Sequence, residues 1–206
     1  LRKRIGFFYF QIMRQLIFFC SVTILFLGCV FPIKRSEKSL VPYQENDKLY
    51  FLSSDGRLDS IFIKKIEVQR PGGIPDLIDS QSLSVYATSF DSITTIDKQR
   101  VKRENTFSIF GVQASHPGQK TEISIGLKGF GFTGSELSVL EFYRKDSVLL
   151  GDRILYNVFE LENLIAGKYH FEPTNEDDIV KLYWNWDSGI VGYIEENGTY
   201  WLLEED

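Results

Sequence analysis

The feature that most restricts this chain is its punctuation. Near the C-terminus, Asp187-Ser188-Gly189 and Asn197-Gly198 separate three short apolar runs at 179–186, 190–195 and 199–203. An Asn-Gly pair supplies the positive φ angles of a two-residue hairpin turn, whose twist matches that of the strands it joins. Such turns place consecutive strands side by side and antiparallel. A three-stranded antiparallel meander is therefore expected here. Val180, Leu182, Trp184 and Trp186 share a parity and are expected on one face of its first strand.

The same grammar extends upstream. Residues 49–52 run into Asp55-Gly56, and 58–68 return with alternating polarity. Pro71-Gly72-Gly73 ends that hairpin, and 74–80 reads as mostly loop. Further strands are expected at 83–90, 92–96, 106–112, 121–128, 137–144 and 154–161, with Leu155, Phe159 and Leu161 on one face of the last. The charged stretch 97–105 reads as a solvated loop or short helix. No amphipathic helix longer than about two turns is visible. The expected fold is all-β: an antiparallel sandwich or an open half-barrel, with both still possible at this point.

Composition narrows the chemistry. The chain has 206 residues, 43% of them hydrophobic and 15% aromatic, enough for a packed core. Residues 1–28 hold four basic residues and no acids. The remainder has 19 basic against 28 acidic residues, a formal charge of −9. A body so acidic, with no basic stripe, is not built for nucleic acid. Cys20 and Cys29 are the only cysteines, so the body after residue 29 contains no disulfide, thiolate metal site or cysteine nucleophile.

Several short motifs are better explained by structure than by chemistry. Gly129-Phe130-Gly131-Phe132-Thr133-Gly134 has the letters of a dinucleotide fingerprint but lacks the strand-turn-helix context that would hold a pyrophosphate. Asp187-Ser188-Gly189 spells one aspartic-protease triplet, whereas that chemistry needs two carboxylates sharing a proton. His116 and His170 have no partner at metal-ligand spacing. Glu176-Asp177-Asp178 lacks the spacing of a calcium loop. No catalytic, metal-binding or cofactor-binding residue is assigned. The remaining candidates are Trp184, Trp186 and Trp201, a ligand or partner face if exposed and core if not.

The N-terminal region carries an address. Arg14 precedes an apolar run, 16–27, broken only by Ser21 and Thr23; Gly28 and then Cys29 follow. A positive start, a short apolar stretch and a small residue are the physical needs of a secretory signal. Met13 is the only methionine, so translation is expected to start there, or at Leu1 through an alternative codon. The segment Leu25-Phe26-Leu27-Gly28-Cys29 resembles the lipobox of bacterial lipoproteins, with Phe26 and Leu27 departing from its usual residues. The resemblance implies cleavage after Gly28 and lipidation of Cys29. The alternative is an uncleaved anchor, since 16–33 is about the ~18 residues a spanning helix needs.

The expected organisation is thus a signal or anchor helix at 1–28, a lipid anchor and flexible tether at 29–46, and one β-rich domain at 47–206. Two prolines and mixed charge suggest a tether that could reach ~55–60 Å. The expected function is that of a membrane-held cell-envelope protein with a non-enzymatic structural or interaction role, its partner an unidentified envelope protein or glycan. The resemblance, with Val30 after the cysteine, implies the outer membrane, facing periplasm or cell surface; the uncleaved alternative is a single-pass periplasmic protein. A second expectation is a lipid- or glycan-binding module using a half-barrel cavity or an exposed aromatic face.

Overall fold

The computed structural model describes residues 29–69, 78–89, 93–96, 99–102, 105–114, 120–162, 164–165, 169–170 and 175–204. The expected leader helix at 1–28, and with it Gly28, lies outside them. In chain order the elements are β1 (Cys29–Phe31), α1 (Arg35–Lys38), β2 (Lys48–Ser53), β3 (Leu58–Gln69), β4 (Ile78–Ser80), β5 (Ser82–Ser89), β6 (Ile93–Ile96), β7 (Gln99–Lys102), β8 (Asn105–Gln113), β9 (Glu122–Leu127) and β10 (Phe130–Glu136). There follow α2 (Leu137–Leu140), a 3-10 turn (Glu141–Tyr143), β11 (Arg144–Leu150), β12 (Arg153–Glu162), β13 (Leu164–Ile165), β14 (Tyr169–His170), β15 (Ile179–Asn185), β16 (Gly189–Glu195) and β17 (Tyr200–Leu203).

One sheet dominates. Its order is β11-β12-β15-β16-β17-β2-β3-β5-β8-β9-β10, with the two-residue β13 and β14 added at the β10 edge. The pairings from β11 to β10 are antiparallel throughout. The expected C-terminal meander is present as β15-β16-β17. The sheet curls into a half-barrel, so the sandwich alternative gives way to the half-barrel. Curling brings distant strands face to face: Phe110 of β8 stacks on Trp184 of β15 with ring centroids 5.7 Å apart.

Alternation gives the half-barrel its inside and outside. Ile123, Ile125 and Leu127 of β9, and Leu83, Val85 and Ala87 of β5, point inward and are buried. Side chains of opposite parity face out, so a single register buries one face of each strand. Lys128 and Gly129 both take positive φ (44° and 91°) and turn β9 tightly into β10. The glycine-rich stretch is therefore a hairpin followed by a strand.

Three expectations are corrected. Residues 137–144 were expected as a strand, yet 137–143 form α2 and the 3-10 turn. Their apolar content is the same, but the segment must cross from the β10 edge of the sheet to the β11 edge, and a helical turn does so compactly. Leu140 is fully buried beneath it, and Tyr143 meets Phe132 edge-on at 5.3 Å. Residues 99–102 of the charged stretch form β7, paired with β6.

The third correction concerns 29–46. Instead of hanging free, the segment packs across the end of the half-barrel where β3, β8 and β15 finish. The backbone of β1 pairs in parallel with β4. Ile33 is buried, and its N–H donates to Gln81 Oε1 at 3.2 Å. Glu37 is buried too, accepting from the Lys34 N–H (2.7 Å) and from the Thr121 hydroxyl (3.0 Å). Tyr43 is 4% exposed, and the Ile190 N–H donates to its hydroxyl at 3.0 Å. Gly189, at φ 75°, lies so close to the Tyr43 ring that a Cβ would collide with it. Ile33, Glu37 and Tyr43 of the supposed tether thus each have a place in the body.

The opposite end is tied by charge. Tyr193 of β16 donates to Asp59 Oδ2 of β3 at 2.8 Å, and Lys128 Nζ meets the same oxygen at 2.8 Å. These groups come from three parts of the sheet that do not neighbour one another, so the network spans the mouth.

Candidate functional site beneath the β-arm

Trp184 and Trp201, read from the sequence as a candidate ligand or partner face, are core residues, at 0% and 6% exposed. Trp184 sits among Phe110, Phe159 and Trp186. Trp201 stacks on Tyr193 at 5.6 Å, with the Arg57 guanidinium 5.1 Å above its ring. Trp186 is half-buried, edge-on to Trp184 at 4.6 Å. The aromatic face is spent on filling the half-barrel. Neither an exposed aromatic platform nor an open interior remains at these positions.

The cavity lies on the other side of the sheet. Strands β11 and β12 pair only with each other over their distal halves, because β12 joins β15 solely between Phe159 and Glu162. The free part of the hairpin forms an arm over the outer face of β15, β16 and β17. Asn157 supplies the bend: it takes φ 51°, a left-handed conformation that Asn tolerates better than most residues. The bend also exchanges the faces of β12. Phe159 and Leu161 point into the main core, whereas Leu155 joins the outer cluster with Val158. Strict alternation therefore misplaces Leu155.

The arm is fixed at its tip. Gly151 turns it at φ 64° and lies directly against the Tyr200 ring. Arg153 donates to the Leu203 carbonyl (3.0 Å) and to Glu204 Oε1 (2.8 Å). Leu150 closes over Gly192, where a Cβ would stand only 3.0 Å from its Cδ2. Leu150, Val158, Tyr183, Val191 and Leu202 form a second buried cluster, separate from the main core. Burial pushes the Tyr183 phenol above its ordinary value.

A β-bulge prepares this outer surface. Between Tyr183↔Gly192 and Trp184↔Ile190 the register shifts by one, which leaves Val191 as the extra residue. Ile190 and Tyr193 can then both face inward while Val191 and Gly192 both serve the outer cluster. A second shift drops Val180 from the face expected for it, and Ile179 takes the inner position.

Between arm and sheet is a cavity of about 270 Å³. Val158, Val191, Leu202 and Leu155 give it aliphatic walls; Arg153, Tyr156, Asn185 and Ser188 stand at its polar margin. Asn185 Oδ1 is already committed to the N–H groups of Asp187 (3.1 Å) and Ser188 (2.7 Å). Those bonds make Asp187-Ser188-Gly189 a hairpin turn. No histidine, cysteine or carboxylate lines the cavity. The surface can hold an apolar group with one polar end; it presents no paired acid and base. Nothing in the sequence announced it, because its parts are an Asn kink, a bulge and outward aliphatics that look like ordinary strand residues.

The other candidates are dispersed. Glu176-Asp177-Asp178 closes a turn in which Asp178 Oδ2 accepts the Asn175 N–H at 2.9 Å. Among the described residues no group of three His, Cys, Asp or Glu side chains is placed to hold a metal. His116 lies outside the described residues. Cys29 opens β1. Among the described residues no helix is long and apolar enough to cross a membrane.

No protein-family model, curated protein or solved structure matches this chain.

Proposed function

We propose that this protein is a lipid-anchored cell-envelope protein with a non-enzymatic structural or interaction role, held in the outer membrane through Cys29 after cleavage at Gly28. The observation that carries the reading is the leader: a positive start, an apolar run, then Gly28-Cys29. Two or more acyl chains hold a protein stably where one is marginal. The test is labelling of cells with radioactive palmitate, comparing the parent with Cys29→Ser, together with the intact mass of membrane-extracted protein. Label in the parent alone, and a mass that starts at Cys29, support the reading. Equal label in both forms, or a mass that includes the leader, replaces it with the single-pass anchor.

The cavity beneath the arm favours a second reading: the body binds a small apolar molecule there. Leu155, Val158, Val191 and Leu202 offer an acyl or similar chain an aliphatic wall, with polar groups at its margin. Binding of an anilinonaphthalene sulfonate probe to the folded protein, blocked by Val191→Trp, would support this. Equal binding to the parent and to Val191→Trp would remove it.

A further inference from the structure

The two ends of the half-barrel differ in a way that bears on how an anchored body would sit. Thr121 marks one end. Its hydroxyl donates to Glu37 of α1, and its carbonyl accepts the Leu137 N–H of α2 at 3.4 Å. The N-terminal segment and the α2 connector therefore share that end. Three residues separate Cys29 from the buried, hydrogen-bonded Ile33, a span of at most about 14 Å. A lipid carried by Cys29 would hold the body close to the bilayer, with no slack to lift it away.

The surface of that end fits such a position. Lys34, Arg35 and Lys38 are exposed around α1, and Lys145 follows the connector. Two nearby acids are already paired, Glu136 with Lys120 (2.6 Å) and Glu141 with Arg144 (3.4 Å). Phe142 projects from the connector at 84% exposure, the most exposed large apolar residue among those described. The opposite end carries exposed Asp55, Glu176, Asp177 and Glu196. The anchored end also carries the exposed acids Glu45 and Asp187, and the far end the exposed Arg57, so the α1 cations form a local patch beside Cys29 and Phe142, not one pole of the whole body.

We infer that the end bearing α1 and Phe142 lies directly on the bilayer, with Lys34, Arg35 and Lys38 against anionic headgroups and Phe142 inserted at the interface. Basic residues beside an anchor are attracted to anionic lipid, and aromatic side chains favour the headgroup boundary. The inference rests on the anchor reading above. The anchor supplies residence at the membrane, and this surface sets the orientation.

The test uses the full chain in vesicles of phosphatidylglycerol and phosphatidylcholine with brominated acyl chains. A reporter is placed by Phe142→Trp, or at the far end by Leu58→Trp; Leu58 is 66% exposed and starts β3, roughly 35 Å along that strand from its other end. The emission added by Phe142→Trp is expected to fall about twofold, as for a ring within the headgroup boundary, while that of Leu58→Trp is unchanged. Adding Arg35→Glu and Lys38→Glu should weaken the quenching at 142. Equal quenching of the two reporters, or none at 142, overturns the inference. Palmitate labelling of the same preparations separates the two ideas. Labelled but unquenched protein keeps the anchor and removes the orientation; quenched but unlabelled protein keeps the contact surface and removes the lipid anchor.

Discussion

The two faces of β15, β16 and β17 are made from the same few strands and are packed by different rules. The inner face holds Trp184, Tyr193, Trp201 and Ile190 against rings from across the half-barrel. The outer face holds Tyr183, Val191 and Leu202 under an arm that reaches them by a single kink. The inner face is wrapped by the curled sheet and packed at one end by the segment holding Ile33 and Tyr43, so its large aromatics interdigitate. The outer face is covered by only one hairpin, with mostly aliphatic side chains, and a cavity of about 270 Å³ remains. A strand run that is apolar at every position is thereby explained, since both of its faces are covered.

The largest expected effect tests the inner face. Trp184 is 0% exposed, with three aromatic rings within 6 Å of its own. Trp184→Ala should cost about 3–5 kcal/mol, because the surrounding sheet cannot collapse into the space left behind. Urea unfolding would show this as a lower midpoint. Leu202→Ala on the outer face should cost less, near ~2 kcal/mol, since Leu202 already borders a void and the arm can settle. An equal loss at the two sites would mean that the faces are packed alike.

Addition of volume should reverse the contrast. Val191→Leu extends a cavity wall and should be neutral or stabilising. Ala87→Val, at a 0% exposed inner position, should cost about 1–3 kcal/mol through overpacking. The unfolding midpoints of these two variants should move in opposite directions or by clearly different amounts. If Val191→Leu destabilises as much as Ala87→Val, the outer cavity is no real reserve of space.

The difference between the faces also explains what could be read from the sequence. The meander was legible because Asn197-Gly198 and the Asp187 turn impose local geometry. Strand β9 and most of β5 were legible because alternation and burial agree there, and β2, β3 and β8 because turn signals and apolar runs bound them. The segment 137–143 was not, because its apolar residues suit a strand or a helical turn equally and only the need to bridge two sheet edges decides. The packing of 29–46 was hidden because Ile33, Glu37 and Tyr43 are spaced as neither a strand nor a long helix; each docks separately. The kink at Asn157 and the shift after Ile179 change parity without any Gly or Pro to mark them, and Gly192 beside the Val191 bulge sits in a run that otherwise looks like ordinary strand. The Asn157 kink and the Val191 bulge build the outer cavity, so the candidate site was the least legible part of the molecule.

Asn157 gives the next test. If its left-handed φ sets the arm, Asn157→Gly should be nearly neutral, within a few tenths of a kcal/mol, whereas Asn157→Val should cost about 1–2 kcal/mol. Backbone amide exchange would report where the loss falls. Faster exchange confined to 147–156 is expected, with β15–β17 unaffected. Faster exchange throughout the sheet would show that arm and half-barrel unfold together and are not two differently packed regions.

The smallest effect concerns the acid at the end of the inner face. Glu195 is 8% exposed beside Trp201, and burial raises its carboxyl above the ordinary 4.5, with the Trp201 indole and the Arg57 guanidinium acting the other way. Arg57 is 3.8 Å away, too far to pair fully. The native state therefore holds this proton more tightly than the unfolded chain does. Below the unfolded value both states are protonated and folding suffers no penalty. As pH rises from about 4.5 through the raised native value the penalty develops, and above that it is complete. Glu195→Gln should remove this slope, so its stability relative to the parent should increase with pH over that window and then level off. Asp55 at the neighbouring turn behaves oppositely. The Ser53 hydroxyl and Arg57 lower it to about 2, so its contribution is present above the unfolded value of 3.8 and is lost as pH falls toward 2. The two windows do not overlap, so unfolding midpoints measured from pH 2 to 8 separate them. A parent-minus-Glu195→Gln difference that is flat across pH 4.5 to 8 would show that water reaches this corner of the inner face.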